Sequence, residues 1–262
     1  MTDDYVLFQM WGSRRQSLID GHQFYVEQAR NRLLNQFGNM EADADQASKD
    51  WLKKASRDFD PDRHDEGVIY DAAEQAGVDF YQLLSDMRDQ TYLSVVAGMY
   101  HGWDKQLRSW LAGEVHHWYS GSAASQKIWS INAEKIEDLL QSQGWGFSSK
   151  PYHRLLDACR LIVNVYKHGE GGSFEDLKMR YPEYLPGTNH GVTSNSPAAS
   201  YLDHTDMKVS DAQLQSLSDA IVAFWRDVPE NTRIKDIQKF PGWFATAVAQ
   251  DQAKVPGAKC FP

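Results

Sequence analysis

Between Thr91 and Tyr119, large apolar residues return every three or four positions: Val96, Met99-Tyr100, Trp103, Leu107, Trp110-Leu111 and Trp118. That period is one face of an α-helix and not of a strand. Asp104, Lys105 and Arg108 fall on the opposite face. An apolar stripe of this length must be covered by other elements, which constrains the chain to a helical packing.

The rest of the chain agrees. Leu18, Phe24-Tyr25, Ala29 and Leu33-Leu34 predict a helix from Trp11 to Phe37, stopped by Gly38. A polar helix is expected over Glu41 to Arg57, then a charged loop from Asp58 to Gly67. Val68 to Gln75 reads as a further helix, broken by Gly77 and restarting near Phe80. Beyond the small-residue connection Ser120–Ser125, a helix is expected from Trp129 to Gln141, ended by Gly144 and Gly146. Another runs from Pro151 to His168, where Gly169 stops it. Ser173 and Asp176 read as a capping box for a short helix reaching Arg180. Leu202, Met207 and Val209 allow a short strand at most. Ser210 to Gln213 caps a strong helix carrying Leu214, Leu217, Ile221 and Phe224-Trp225, and a short helical stretch follows from Trp243 to Gln250.

The expected fold is therefore all-α, with at most one short strand or hairpin. It divides into a helical bundle over 1–182, a surface loop over 183–200, and a helical extension over 201–262 packed on the same domain. Chain length, 262 residues with 42% hydrophobic content, is enough for one large core.

Composition excludes several functions. With 27 Lys+Arg against 36 Asp+Glu the net charge is −9, and the longest basic clusters are Arg14-Arg15 and Lys53-Lys54. A general binder of duplex DNA needs a basic stripe, so that class is disfavoured. No run of 18 apolar residues supports a membrane span. The start, Met1-Thr-Asp-Asp-Tyr5, lacks the features of a secretion signal, and the two cysteines, Cys159 and Cys260, cannot build a disulfide scaffold. The expected location is the cytoplasm, with reduced thiols.

No phosphate loop, dinucleotide fingerprint, His-Glu-x-x-His or nucleophile elbow occurs. Gly169-Glu-Gly-Gly172 follows a helix, so it reads as a turn and not as a phosphate cradle. Glu114, His116 and His117 share a helix, but adjacent histidines project about 100° apart, which disfavours a shared metal. Neither a metal nor another cofactor is expected. The nine tryptophans are assigned to core and interface, since large aromatics at helical spacing pack more often than they stack on bases.

One constellation stands apart. Stepping about 100° per residue along the helix ending at His168 gathers His153, Asp157, Arg160, Asn164 and His168 within about 80° of arc, with Lys167 at its edge. Leu155, Cys159, Ile162, Val163, Val165 and Tyr166 fill the other side. A solvated helix face usually carries Glu, Lys and Gln. This one carries two His, an Arg, an Asp and an Asn, and the wide apolar arc points to a helix packed on most sides with its polar stripe lining a cleft or interface.

The phrase Arg160-Leu-Ile-Val-Asn164-Val-Tyr-Lys-His168-Gly169 resembles HEPN-like proteins, small helical and usually dimeric domains of bacterial toxin–antitoxin and anti-phage systems. The likeness spans about residues 1 to 182. Active members of that superfamily are metal-independent ribonucleases whose signature is an Arg, four to six intervening residues and then a His, commonly with a polar residue such as Asn directly after the Arg. Asn164-x-x-x-His168 matches the second half, whereas Val163 precedes Asn164 and seven residues separate Arg160 from His168. The resemblance implies RNA cleavage by 2′-hydroxyl attack. His168 would act as acid or base, Arg160 or Lys167 would stabilise the phosphate charge, and Asn164 would orient either, with Asp157 and His153 in support. It also implies a homodimer in which two stripes meet across the axis, and a partner protein of a defence system. The competing reading is a non-catalytic helical module whose stripe is a satisfied buried network. The two differ in what the stripe does: a nuclease needs the cation and His168 within one phosphate's reach, and a module needs them paired off and closed.

Overall fold

The structure, a computed structural model, describes residues 4–57, 59, 60, 62, 65–119, 121–185 and 202–254. Its helices are α1 (Gly12–Arg32), α2 (Met40–Ala55), α3 (Glu66–Trp118), α4 (Ala123–Ser130), α5 (Ala133–Ser142), α6 (His153–His168), α7 (Gly172–Arg180), α8 (Asp211–Asp227) and α9 (Gly242–Lys254). Two short strands, β1 (Val6–Gln9) and β2 (Asn231–Arg233), pair antiparallel, with Phe8 opposite Thr232 and Gln9 opposite Asn231. The fold is mostly α, as the periodicity predicts. No described helix is long and apolar enough to cross a membrane.

The two halves of α3 behave differently. From Leu93 onward, Val95, Val96, Met99, Trp103, Leu107, Trp110, Leu111 and Val115 enter one apolar cluster that reaches from Leu7 to Val248. That cluster joins the first strand, the central helices and the C-terminal helices in a single core. Phe224 of α8 sits edge-on to Trp103, Phe147 and Tyr152, with ring centroids 5.2, 5.8 and 6.2 Å away. Before Tyr92, α3 contributes nothing to this cluster and pairs with α2.

Gly77 does not break α3, contrary to the reading of the sequence: the helix runs 53 residues without interruption, about 80 Å. Glycine costs a helix about 1 kcal/mol relative to alanine but does not forbid it. Here its bare backbone admits α2, because a Cβ would lie 3.1 Å from the Ala44 carbonyl oxygen and 3.2 Å from Ser48 Cβ. Three other expectations also need correction. The helix expected over Trp129–Gln141 is two, α4 and α5, separated where Asn132 caps α5 by accepting from the Lys135 N–H at 3.2 Å. The capping box at Ser173 does not form, because α7 starts earlier, after Gly171 at φ 145°. Leu202 to Val209 pairs with no strand among the described residues and carries instead the 3-10 turn His204–Asp206. The capping box at Ser210 and Gln213 is present. Most of the expected surface loop, residues 186–200, lies outside the described residues.

The first strand is tied to α3 by two hydrogen bonds. Trp110 Nε1 donates to the Gln9 carbonyl at 2.9 Å, and the Gln9 N–H donates to Glu114 at 2.9 Å. The buried Glu114 thus anchors β1, with His117 Nδ1 3.8 Å away and His116 exposed.

His22, buried on α1, shares a 2.9 Å hydrogen bond between Nε2 and Ser218 Oγ of α8. Burial lowers its pKa below 6.5, against smaller upward contributions from Ser218 and Asp219. The unfolded chain therefore binds a proton more readily than the folded one. Stability contributed by His22 is complete above pH 6.5 and is lost as pH falls from there toward the folded-state value. Urea midpoints measured between about pH 8 and pH 5 should fall in the wild type and fall less in His22→Gln. An unchanged pH dependence in the variant would count against this assignment.

Candidate functional site

The polar stripe of α6 forms, and its members divide into two groups. Helix α6 is amphipathic in an unusual sense: Leu156, Ala158, Cys159, Leu161, Ile162, Val163 and Val165 are all buried, leaving a narrow polar edge. Asp157 lies within that buried part, 5% exposed. Its Oδ1 accepts from Arg160 Nε at 3.2 Å and Nη2 at 2.7 Å. Its Oδ2 accepts from the Tyr181 hydroxyl at 2.5 Å and from Arg180 Nη2. Four charge-assisted bonds on one carboxylate are what a buried charge requires.

The electrostatics follow from that count. Burial alone would raise the Asp157 pKa, but the Tyr181 and Arg160 hydrogen bonds and the charges of Arg160 and Arg180 outweigh it and hold the carboxyl below its ordinary value. Burial, then the bond to the ionised Asp157, pushes the Tyr181 phenol up to about 12. Arg154 and Arg180 cover the Tyr181 ring, 4.9 and 5.2 Å from its centroid. The network thereby clamps α7 and the turn after it onto α6.

On the other side of Arg160 opens a cleft of about 360 Å³, lined by Arg160 and Asn164 of α6, Tyr100, Asp104 and Arg108 of α3, and Glu134 of α5. Arg108 is almost fully buried. Its Nε donates to Asp104 at 2.8 Å and its Nη1 to the carbonyls of Ile128 and Ile131 at 2.6 and 2.9 Å. Arg160 Nη1 stands 4.0 Å from Glu134. Both guanidinium groups at this cleft therefore face carboxylates already in place.

Asn164 Nδ2 lies 3.4 Å from Ser173 Oγ of α7, a long contact. His153 pairs with Glu137 of α5 at 3.2 Å and meets the Phe147 ring edge-on at 5.0 Å. Lys167 and His168 are exposed at the end of α6 and make no side-chain hydrogen bond or ion pair among the described residues.

His168 lies eight positions after Arg160, about 12 Å along the helix axis. Helical side chains lean toward the N-terminus, and the Arg160 guanidinium follows that lean to Asp157, away from His168. Within one chain Asp157 bonds to Arg160, and Arg160 and Asn164 line the same cleft. It does not bring Arg160 to His168.

Arg108, Arg180 and Tyr181 escape the sequence reading. Asp104 and Arg108 carry a local signal, the i,i+4 spacing of an ion pair, although Arg108 reads there as part of a polar face. Arg180 and Tyr181 carry none, because they meet Asp157 only after α7 folds back. Among the described residues no group of three His, Cys, Asp or Glu side chains could hold a metal ion. No known protein family, curated protein or solved structure matches the chain.

Proposed function

We propose that the chain is a HEPN-like helical interaction module, a subunit in an assembly such as a bacterial defence or toxin system, and that the α6 stripe is the polar network that fixes its fold. The observation that carries this reading is the commitment of Arg160. Its guanidinium is held by the buried Asp157, which also receives Tyr181 and Arg180. A cation stabilising a phosphate transition state must be free to meet it. The cleft beside Arg160 also holds His101, Asp104, Arg108 and Glu134, and its two carboxylates stand against its two guanidinium groups, which leaves no surplus of guanidinium charge for a polyanion.

A second reading rests on one observation: Lys167 and His168 are exposed and without partners among the described residues. Across a two-fold axis, two such pairs would supply a metal-independent ribonuclease with its acid–base and its cation. Induced expression of the wild type beside His168→Ala separates the two. The module reading expects equal growth and intact total RNA from both strains. Growth arrest with RNA cleavage that His168→Ala abolishes, in a variant whose circular dichroism is unchanged, would replace it with the nuclease reading.

A further inference from the structure

The segment of α3 that lies outside the core carries an apolar stripe of its own. Phe80, Leu83 and Met87 follow one another at spacings of three and four and are 39%, 68% and 61% exposed. On a helix they fall within about 60° of each other, adjacent to the Ala73 and Gly77 side that meets α2. Apolar side chains this exposed, in register and on one face, are a surface that a partner covers.

Charge specifies what kind. From Glu66 to Met87 this helix holds Glu66, Asp71, Glu74, Asp79 and Asp86 and not one Lys, Arg or His. Asp79 and Asp86 flank the stripe on the side away from α2, about 40° and 60° of arc beyond Leu83. They are held there by Gln75 and Gln82, whose side-chain amides donate at 2.8 Å. The cations of the neighbouring helix, Lys49, Lys53 and Lys54, all belong to α2. A second copy of α3 would set the Asp79 and Asp86 flank against itself, and Arg88 just beyond Met87 is already paired with Asp89 at 2.9 Å, so the symmetric occupant is disfavoured. The two longest stretches outside the described residues are no better suited: 186–201 has no Lys or Arg, and 255–262 has a single Lys.

We infer that the Phe80–Leu83–Met87 stripe, with its Asp79 and Asp86 flank, is the docking site for a basic amphipathic helix of a partner protein. The apolar face of that helix would cover the stripe while its Lys or Arg side chains meet the aspartates. This inference rests on the interaction-module reading and supplies the chemistry of the partner.

The test uses the full chain and a fluorescent Leu/Lys peptide of about 20 residues patterned as an amphipathic helix. Two controls accompany it: a peptide of identical composition with the leucines scattered, and one with every Lys replaced by Glu. The patterned peptide should bind, and both controls should fail. Leu83→Asp, at an exposed position, should weaken binding at least about tenfold, as should the double change Asp79→Asn with Asp86→Asn. Added salt should weaken the wild-type complex and have less effect on the double variant. Equal binding of the scattered peptide, or wild-type affinity in Leu83→Asp, would overturn the inference. So would a concentration-dependent dimer, seen by sedimentation, that Leu83→Asp dissolves, because the occupant would then be a second copy. Failure of peptide binding leaves the expression test at His168 standing, and a positive nuclease result there leaves the peptide titration readable.

Discussion

Asp157→Ala should cost the fold about 3–5 kcal/mol, the range for breaking a buried ion pair by removing one partner. The loss has three sources. Arg160, mostly buried, is left with only the solvent-exposed Glu134, 4.0 Å away, to answer its charge. The Tyr181 hydroxyl loses the acceptor to which it donates at 2.5 Å. Arg180, more exposed, contributes less because solvent screens it. Urea unfolding at neutral pH, followed by circular dichroism, measures the sum. Asp157→Asn, which keeps size and acceptor oxygen but not charge, should fall between the wild type and the alanine variant.

The same carboxylate sets a sign for acid. Its folded-state pKa is depressed, so its contribution is complete above the ordinary value of 3.8 and is lost as pH falls through the lower folded-state pKa. The gap between the wild type and Asp157→Ala should therefore narrow below about pH 4.

Gly144→Ala should destabilise by about 2–5 kcal/mol, from two additive causes. At φ 79°, Gly144 occupies the left-handed region, where a side chain costs about 1–2 kcal/mol. A Cβ there would also stand 2.5 Å from the Asp236 carbonyl oxygen, and backbone cannot swing aside as a side-chain tip can. Relief requires the 234–238 turn to lift, which breaks the hydrogen bond from the Gln238 N–H to the Ser142 carbonyl at 3.0 Å. That turn joins β2 to α9, so the variant should also expose the C-terminal helix to limited proteolysis. Gly146→Ala is the internal control. Its φ of 68° is similar, but the nearest atom is the Ser149 hydroxyl at 3.2 Å, so only the conformational cost of about 1–2 kcal/mol is expected.

The contrast between α6 and α3 explains how much the sequence discloses. Helix α6 is legible almost residue by residue, because Leu156, Cys159, Ile162 and Val163 are buried on several sides and its polar residues have one narrow edge left. Even so, the sequence places Asp157 on that edge without naming its other partners. Tyr181 lies 24 positions away, and a bond of that separation is set by how α7 packs, not by local pattern. Gly77 misleads for a related reason: glycine marks a break in an isolated helix, but against Ala44 of α2 it marks a close approach. The β1–β2 pair joins residues more than 220 positions apart, and segments of four and three residues give no alternation long enough to detect. Arg108 lies on the helix face opposite the apolar stripe, and only the carbonyls of Ile128 and Ile131 make that position interior.

Whether Asp157 and Arg160 act as one structural unit is measured most directly by a double-mutant cycle. Asp157→Ala, Arg160→Ala and the double variant are unfolded in urea beside the wild type. Contacting members of one network show coupling of about 0.5–3 kcal/mol, and the prediction here is a double variant less damaged than the sum of the singles by at least about 1 kcal/mol. Simple additivity of the two single losses would contradict the account and return Arg160 to the pool of cations free to act on a ligand.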